Sequence, residues 1–254
     1  MTAISAALYL TVVACPDPAA LLRETIELSK ANAQKSVNWL AREDIKRTDP
    51  NKSNKLVSWE TYEASRVEGE NYYRLVARSG KPLNRAEVQR ERLKLERESE
   101  YRRTTPVGQR APRTASNRYS MSIRHLLDHH ELQCSGEDVT PEGRKYWIID
   151  TRVGSDAPGS KGRGDMSLTG DVTLWIDQET KLAWRQELRV TRSGGWAEGS
   201  QIVYEMFWNG EVMLVGKIHL RIVGPGGRNT EQVYSSYRKF ASSSDIKFEA
   251  QEIR

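Results

Sequence analysis

The chain of 254 residues has few of the side chains that mark an enzyme centre or a disulfide-rich scaffold. It contains two cysteines, four histidines and three phenylalanines. No Cys-x-x-Cys pair, phosphate-binding loop, Gly-x-Ser-x-Gly elbow or dinucleotide fingerprint occurs in it. We therefore expect no cofactor and no framework of several disulfides, and carboxylates alone single out no catalytic pair.

Charge of one sign is also not concentrated anywhere. The net charge is +5 with 29% charged residues, and bases and acids are interleaved rather than gathered in a basic tract. A nucleic acid is therefore not an expected partner.

The N-terminal stretch is the one long run without charge. Residues 1–14 carry no charged side chain and end in Val-Val-Ala followed by Cys15. The run is too short to span a bilayer and resembles a secretory signal peptide. We interpret 1–15 as a signal-peptide-like segment and expect export to the periplasm or outer membrane. Cys15 is a candidate for lipidation, which allows peripheral membrane association, and a disulfide between Cys15 and Cys134 stays open, as does a buried N-terminal helix.

The C-terminal third predicts strand after strand. Val172, Leu174 and Ile176 alternate with polar residues, and the same period of two recurs to residue 253. Asn209-Gly210 is a strong hairpin sequence. Strands joined by such short turns must be antiparallel, because a parallel crossover needs a dozen or more residues.

The N-terminal part predicts helices as well as strands. Asp17 caps an amphipathic helix over 18–35, and strands are expected at 55–68 and 71–78. Residues 84–103 begin with a capping box and are almost wholly charged, so we expect a helix that projects from the body. With the loop that follows, 84–117 should be a dispensable insertion.

These patterns predict an α+β, mainly β, fold. A large curved antiparallel sheet should form an unclosed barrel, with helices covering its concave face. We assign 16–254 to one domain that carries the charged helical insertion at 84–117.

Two sets of candidate site residues follow. Period-two alternation and helical spacing place one apolar set on the concave face, namely Leu174, Trp184, Tyr204, Leu214, Leu220, Leu22 and Ile26. His125 and His129 are four residues apart and form a weak metal-ligand pair. Such a pair is more often the polar end of a surface helix.

Four sequence segments together resemble a known family. They are Asp-Pro-Ala-Ala-Leu-Leu-Arg-Glu from Asp17, Tyr72-Tyr73-Arg74-Leu75-Val76 with the following Gly-Lys-Pro-Leu, Leu174-Trp175-Ile176-Asp177, and Tyr-Ser-Ser-Tyr-Arg-Lys-Phe from Tyr234. In this order they resemble the bacterial lipoprotein-localisation superfamily (LolA/LolB-like), and most closely its outer-membrane lipoprotein-sorting relatives. The resemblance implies an unclosed curved sheet plugged by helices that carries acyl chains of lipids or lipoproteins. It implies no catalytic residue.

Three functions stay open from the sequence. The first is an envelope binding protein that holds an apolar ligand between sheet and helices. The second is a metal-dependent hydrolase of the envelope that uses His125 and His129. The third is a structural or docking protein whose envelope partner binds the 84–117 arm.

Overall fold

A computed structural model describes residues 15–106, 109, 123–158, 166–192, 196–224 and 226–240. The predicted signal-peptide-like run at 1–14, most of the loop of the arm and the strand expected at 246–253 lie outside the described residues.

The described chain contains three α-helices and eleven strands. The helices are α1 (Pro18–Ser36), α2 (Arg85–Thr104) and α3 (Ile123–His129). The strands are β1 (Trp39–Asp49), β2 (Lys55–Val67), β3 (Glu70–Arg78), β4 (Lys81–Pro82), β5 (His130–Val139), β6 (Lys145–Val153), β7 (Gly170–Asp177), β8 (Ala183–Val190), β9 (Gln201–Trp208), β10 (Met213–Ile222) and β11 (Arg228–Lys239). Short 3-10 turns lie at Pro50–Lys52 and Met166–Leu168. In the described parts of the chain, no helix is long and apolar enough to cross a membrane.

All strands join one antiparallel sheet in the order β4-β3-β2-β1-β11-β10-β9-β8-β7-β6-β5. Each strand pairs with its neighbours in sequence, except that β4 and β5 do not pair; in addition, β1 pairs with β11. The sheet is therefore two meanders joined by a pairing of the first long strand with the last. Within the described residues the outer strands β4 and β5 do not meet, so the barrel is unclosed. The predicted mainly β fold with an unclosed antiparallel sheet is confirmed.

The hydrophobic core lies under the first half of α1. Leu21 and Leu22 pack on the inner face of β6 to β10, where Ile149, Leu174 and Leu188 are wholly buried. α3 adds Leu126, which is also wholly buried. Leucine at positions 21 and 22, one turn before Thr25, gives α1 the apolar stripe that the sequence predicts.

The charged helix α2 does not project from the body, contrary to the sequence prediction. β3 pairs with β2 along its length, but on its other side it meets β4 only at Ala77 and Arg78. α2 covers the rest of that edge: Glu91 accepts a hydrogen bond from the Leu75 amide at 3.4 Å, and Arg102 donates to the Asn71 carbonyl at 3.3 Å. An uncovered strand edge would leave such groups unpaired. The polar composition of α2 therefore serves backbone contacts that a hydrophobicity pattern does not detect.

Candidate functional site

A cavity of about 530 Å³ lies between the second half of α1 and the concave face of the sheet. The helix contributes Ser29, Asn32, Ala33 and Ser36 to its wall. These positions follow the spacing i, i+3, i+4, i+7, so they form one stripe of the helix. The same helix presents leucines to the core about two turns earlier. Because the stripe changes from leucine to small or polar residues, α1 fills the space beneath its first half and leaves it open beneath its second.

Two attachments hold α1 across the sheet, one towards each end, and a helix cap starts its first turn. Cys15 is joined to Cys134 of β5 by a disulfide, so the chain just before the helix is tied to the edge of the sheet. Asp17 caps the first turn by accepting the Ala19 amide at 3.2 Å. At the far end, the Asn32 side chain makes a pair of 2.8 Å hydrogen bonds with the backbone of Met213. The cavity roof is therefore fixed at both ends.

One part of the cavity wall is apolar and adaptable. Strands β9 and β10 supply Met206, Met213, Leu214, Val215 and Ile218. Methionine is unbranched and polarisable, which lets it pack against chains of differing shape. Ala64 of β2 and Ala41 of β1 are small, which keeps the opposite wall set back.

The other end of the cavity carries hydroxyl groups. Tyr73, Tyr234 and Tyr237 line it, and Glu43 lies directly behind Tyr234. The Tyr234 hydroxyl donates a hydrogen bond to Glu43 Oε1 at 2.9 Å, and the Tyr237 hydroxyl donates to the Val215 carbonyl at 2.6 Å. The cavity is thus amphipathic, with a methionine-rich end and a tyrosine-rich end.

Burial shapes the ionisation of this cluster. Glu43 is buried and its pKa is raised, because desolvation outweighs the opposing effects of the Tyr234 hydrogen bond and of the Arg47 charge. The pKa values of Tyr234 and Tyr237 are raised by burial first. The negative charge of Glu43 is the second-largest cause of the raised pKa of Tyr234. For Tyr237, Tyr73 is the second-largest cause and Glu43 the third. All three phenols are therefore hydrogen-bond donors at neutral pH.

The structure brings only two of the predicted concave residues to the cavity. Tyr204 and Leu214 line it. Leu174, Leu220 and Leu22 lie on the predicted face, but they are at most 2% exposed and belong to the packed core. Ile26 is half-buried and does not line the cavity. Leu174, Leu220 and Leu22 do not line the cavity, because the first half of α1 packs on the sheet there and the space lies beneath its second half.

Trp184 does not line the cavity, and a bulge explains why. Trp175 pairs with Arg185, whereas the next residue, Ile176, pairs with Ala183. Trp184 is the unpaired residue, and its ring stacks on Tyr146 with centroids 5.1 Å apart. One extra residue in a strand reverses the alternation that follows it. Ala183 lines the cavity in the place predicted for Trp184.

The histidine pair lies at the end of α3. The rings of His125 and His129 have centroids 6.3 Å apart. In the described ranges, no group of three or more His, Cys, Asp or Glu side chains could hold a metal ion. The adjacent His130 has a structural role: its ring nitrogens lie 2.8 Å from Thr151 Oγ1 and 2.7 Å from the Ser167 carbonyl. Burial lowers its pKa.

Cys15 is a disulfide partner in the structure. A lipid thioether would use the same sulfur atom, so lipidation and the bond to Cys134 are mutually exclusive. The structure shows the bond, which the sequence left open.

Sequence reasoning missed the tyrosine-rich end of the cavity. Tyr73 falls in the strand predicted at 71–78, whereas residues 37–47, which include Glu43, alternate only loosely. The sequence signal for it is the alternation of Ala41, Glu43 and Ile45, which share one face of β1. A glutamate between an alanine and a buried isoleucine on one face indicates a buried polar contact. Its partner Tyr234 is 191 residues away in sequence.

No family model and no curated protein sequence matches the chain. Among solved structures, it is similar to a LolA superfamily protein from Nitrosomonas europaea (9% identity, TM-score 0.37, covering 91% of this chain and 96% of that one). It is also similar to a putative outer membrane lipoprotein-sorting protein domain from Vibrio parahaemolyticus (8% identity, TM-score 0.42, covering 88% of this chain and 95% of that one). A third similar structure is that of a DUF1329 family protein from Desulfovibrio piger (12% identity, TM-score 0.39, covering 94% of this chain and 100% of that one).

Proposed function

We propose that this protein is an exported carrier that holds the hydrocarbon chain of a lipid or lipoprotein in the cavity beneath the second half of α1. The observation that carries this proposal is the cavity itself, whose volume falls within the roughly 300–1,000 Å³ of small-ligand sites. Its methionine-rich wall suits an alkyl chain. Each methylene group that leaves water contributes about 0.8 kcal/mol to binding.

The disulfide supports export to the periplasm or the outer-membrane surface. Bonds such as the one between Cys15 and Cys134 persist in oxidising compartments, and the bacterial periplasm is one of them. Because this bond occupies the sulfur atom, the carrier would meet the membrane through its ligand rather than through a lipid on Cys15.

Binding of a neutral single-chain fluorescent probe tests the proposal. Wild-type protein should bind the probe saturably, and Ala33→Trp should weaken binding by about tenfold or more, because Ala33 is an exposed residue of the cavity wall and an indole there would obstruct the opening. Ala31→Trp is the matched control: residue 31 lies in the same helix, is exposed and does not line the cavity.

Two outcomes would contradict the proposal. Equal binding by both variants would place the probe elsewhere on the molecule. No binding of any single-chain amphiphile by the folded wild type would leave the docking function, with an envelope protein partner bound to α2. The exposed Val88 and Leu93 would then be the first residues of α2 to replace.

A further inference from the structure

The charge inventory of the cavity is unusual for a site that would take a fatty acid. Among the described residues that line it, none is a lysine, arginine, histidine, aspartate or glutamate. The charged group immediately behind its wall is an acid, Glu43, which Tyr234 contacts. An anionic head group would therefore contact no positively charged residue among those that line the cavity, and the acid Glu43 lies behind them.

Glu43 is incompletely satisfied by the protein. It is 9% exposed, and Tyr234 donates to its Oε1 atom. No described residue donates a hydrogen bond to Oε2. Arg47 acts on Glu43 electrostatically, but its guanidinium is bonded to Glu60 at 3.0 Å and to Ser58 at 3.3 Å. Oε2 is therefore the oxygen of this largely buried carboxylate that a cation or a donor can still pair.

The aromatic side chains at the same end favour a cation. Tyr73, Tyr234, Tyr237 and Trp39 all line the cavity near β1 and β11. Aromatic faces attract a positive charge, and the attraction is larger where water is excluded. A protonated amine could replace its hydration shell here with one carboxylate oxygen, which accepts a hydrogen bond, and several aromatic ring faces.

We propose that the cavity selects single-chain amphiphiles with a protonated amino head group, which binds Glu43 and the surrounding aromatic rings while the alkyl chain lies along the methionine-rich wall. This rests on the proposed carrier function and names the class of ligand that the carrier takes. Amphiphiles with a carboxylate or phosphate head group should be rejected, because burying an anion beside Glu43 brings two like charges together without compensation.

The test compares three ligands of equal chain length, each displacing a neutral fluorescent probe at neutral pH. Dodecylamine should bind at least about tenfold more tightly than dodecanoic acid, with dodecanol between them. Glu43→Gln keeps the shape of the side chain and should reduce dodecylamine affinity to that of dodecanol while leaving dodecanol binding unchanged. Glu63→Gln, which removes a carboxylate paired with Arg74 on the same sheet, should change neither.

A second variant covers the case in which Glu43→Gln misfolds. Tyr234→Phe removes the donor to Glu43 but keeps the charge, so the preference for the amine over the acid should persist. Equal or tighter binding of dodecanoic acid would overturn the amine selectivity while leaving the carrier function intact, as would unchanged dodecylamine affinity in Glu43→Gln. Failure of all three ligands to displace or replace the probe would instead contradict the carrier function itself.

Discussion

Arg102 offers a sharp test of how α2 is attached to the sheet. Its side chain lies in the last turn of the helix and is 6% exposed. The guanidinium donates to the carbonyls of Val67 at 2.9 Å, Glu70 at 3.1 Å and Asn71 at 3.3 Å. Its Nε donates to Glu98 at 2.8 Å. One arginine therefore closes the turn between β2 and β3 and fixes the helix over it.

The magnitude follows from what removal leaves behind. Arg102→Ala strands three carbonyl groups and leaves the largely buried Glu98 carboxylate without its cation. Breaking a buried ion pair by removing one partner costs about 3–5 kcal/mol. We expect a loss of about 3–4 kcal/mol in the free energy of unfolding, since water can reach part of the turn. Lysine cannot reproduce the fork of donors, so Arg102→Lys should recover less than half of the loss.

The neighbouring arginine supplies the control. Arg103 is exposed and forms surface ion pairs with Glu68 at 3.5 Å and Glu100 at 3.4 Å. Arg103→Ala should cost less than about 1 kcal/mol, because exposed pairs are screened and mobile. Urea denaturation followed by circular dichroism measures both variants. Equal losses for the two would refute the attachment of α2 described above, and would restore the view that the helix projects and is dispensable.

Three further predictions concern the roof and the walls of the cavity. Cys134→Ser should lower the free energy of unfolding by about 2–5 kcal/mol, because the bond to Cys15 closes a loop of 119 residues. Thiol labelling without reductant should find no free cysteine in the wild type. A lipid on Cys15 would contradict the disulfide. Leu22→Ala should cost about 2–5 kcal/mol. Trp184→Ala should cost about 3 kcal/mol, the low end for a tryptophan, because its ring is only partly buried. Neither change should alter probe affinity once the protein is folded, so a selective loss of binding would show that these residues line the cavity. The Glu43 pKa is higher in the folded than in the unfolded chain, so the native state binds the extra proton and stability falls as pH rises from about 4.5 through the folded pKa. Over that range the free energy of unfolding of Glu43→Gln should rise relative to that of the wild type and then level off. A difference in unfolding free energy that does not change with pH would contradict the burial of this carboxyl.

Much of the fold was predictable because its determinants are local. The strands of the C-terminal meander have clear alternation, and the capping box at Asn84 and Glu87 forms as expected, with both hydrogen bonds at 3.0 Å. The hairpin at Asn209-Gly210 also forms, although the connection is longer than two residues. The Asn209 side chain accepts the amides of Glu211 and Val212, and this delays the start of β10.

The site was less predictable because its determinants are not local. The pairing of β1 with β11 joins residues almost 200 positions apart, and it alone brings Glu43 beside Tyr234. The bulge that turns Trp184 away has no sequence signature in its strand. The residues that leave space beneath α1 are two serines, an asparagine and an alanine, and a search for apolar residues does not detect them. The cavity exists because several side chains of α1 are small, whereas hydrophobic sequence patterns identify large apolar side chains.

Photocrosslinking is the most direct test of the central claim that the cavity holds an alkyl chain. A single-chain amine bearing a diazirine near the end of its chain would be irradiated with folded protein, and the labelled peptides identified by mass spectrometry. We predict saturable labelling confined to residues 29–36 of α1 and to residues 204–218 of β9 and β10, which Ala33→Trp abolishes and an excess of unlabelled amine competes away. Labelling spread over the surface, or concentrated on α2 and insensitive to Ala33→Trp, would contradict it.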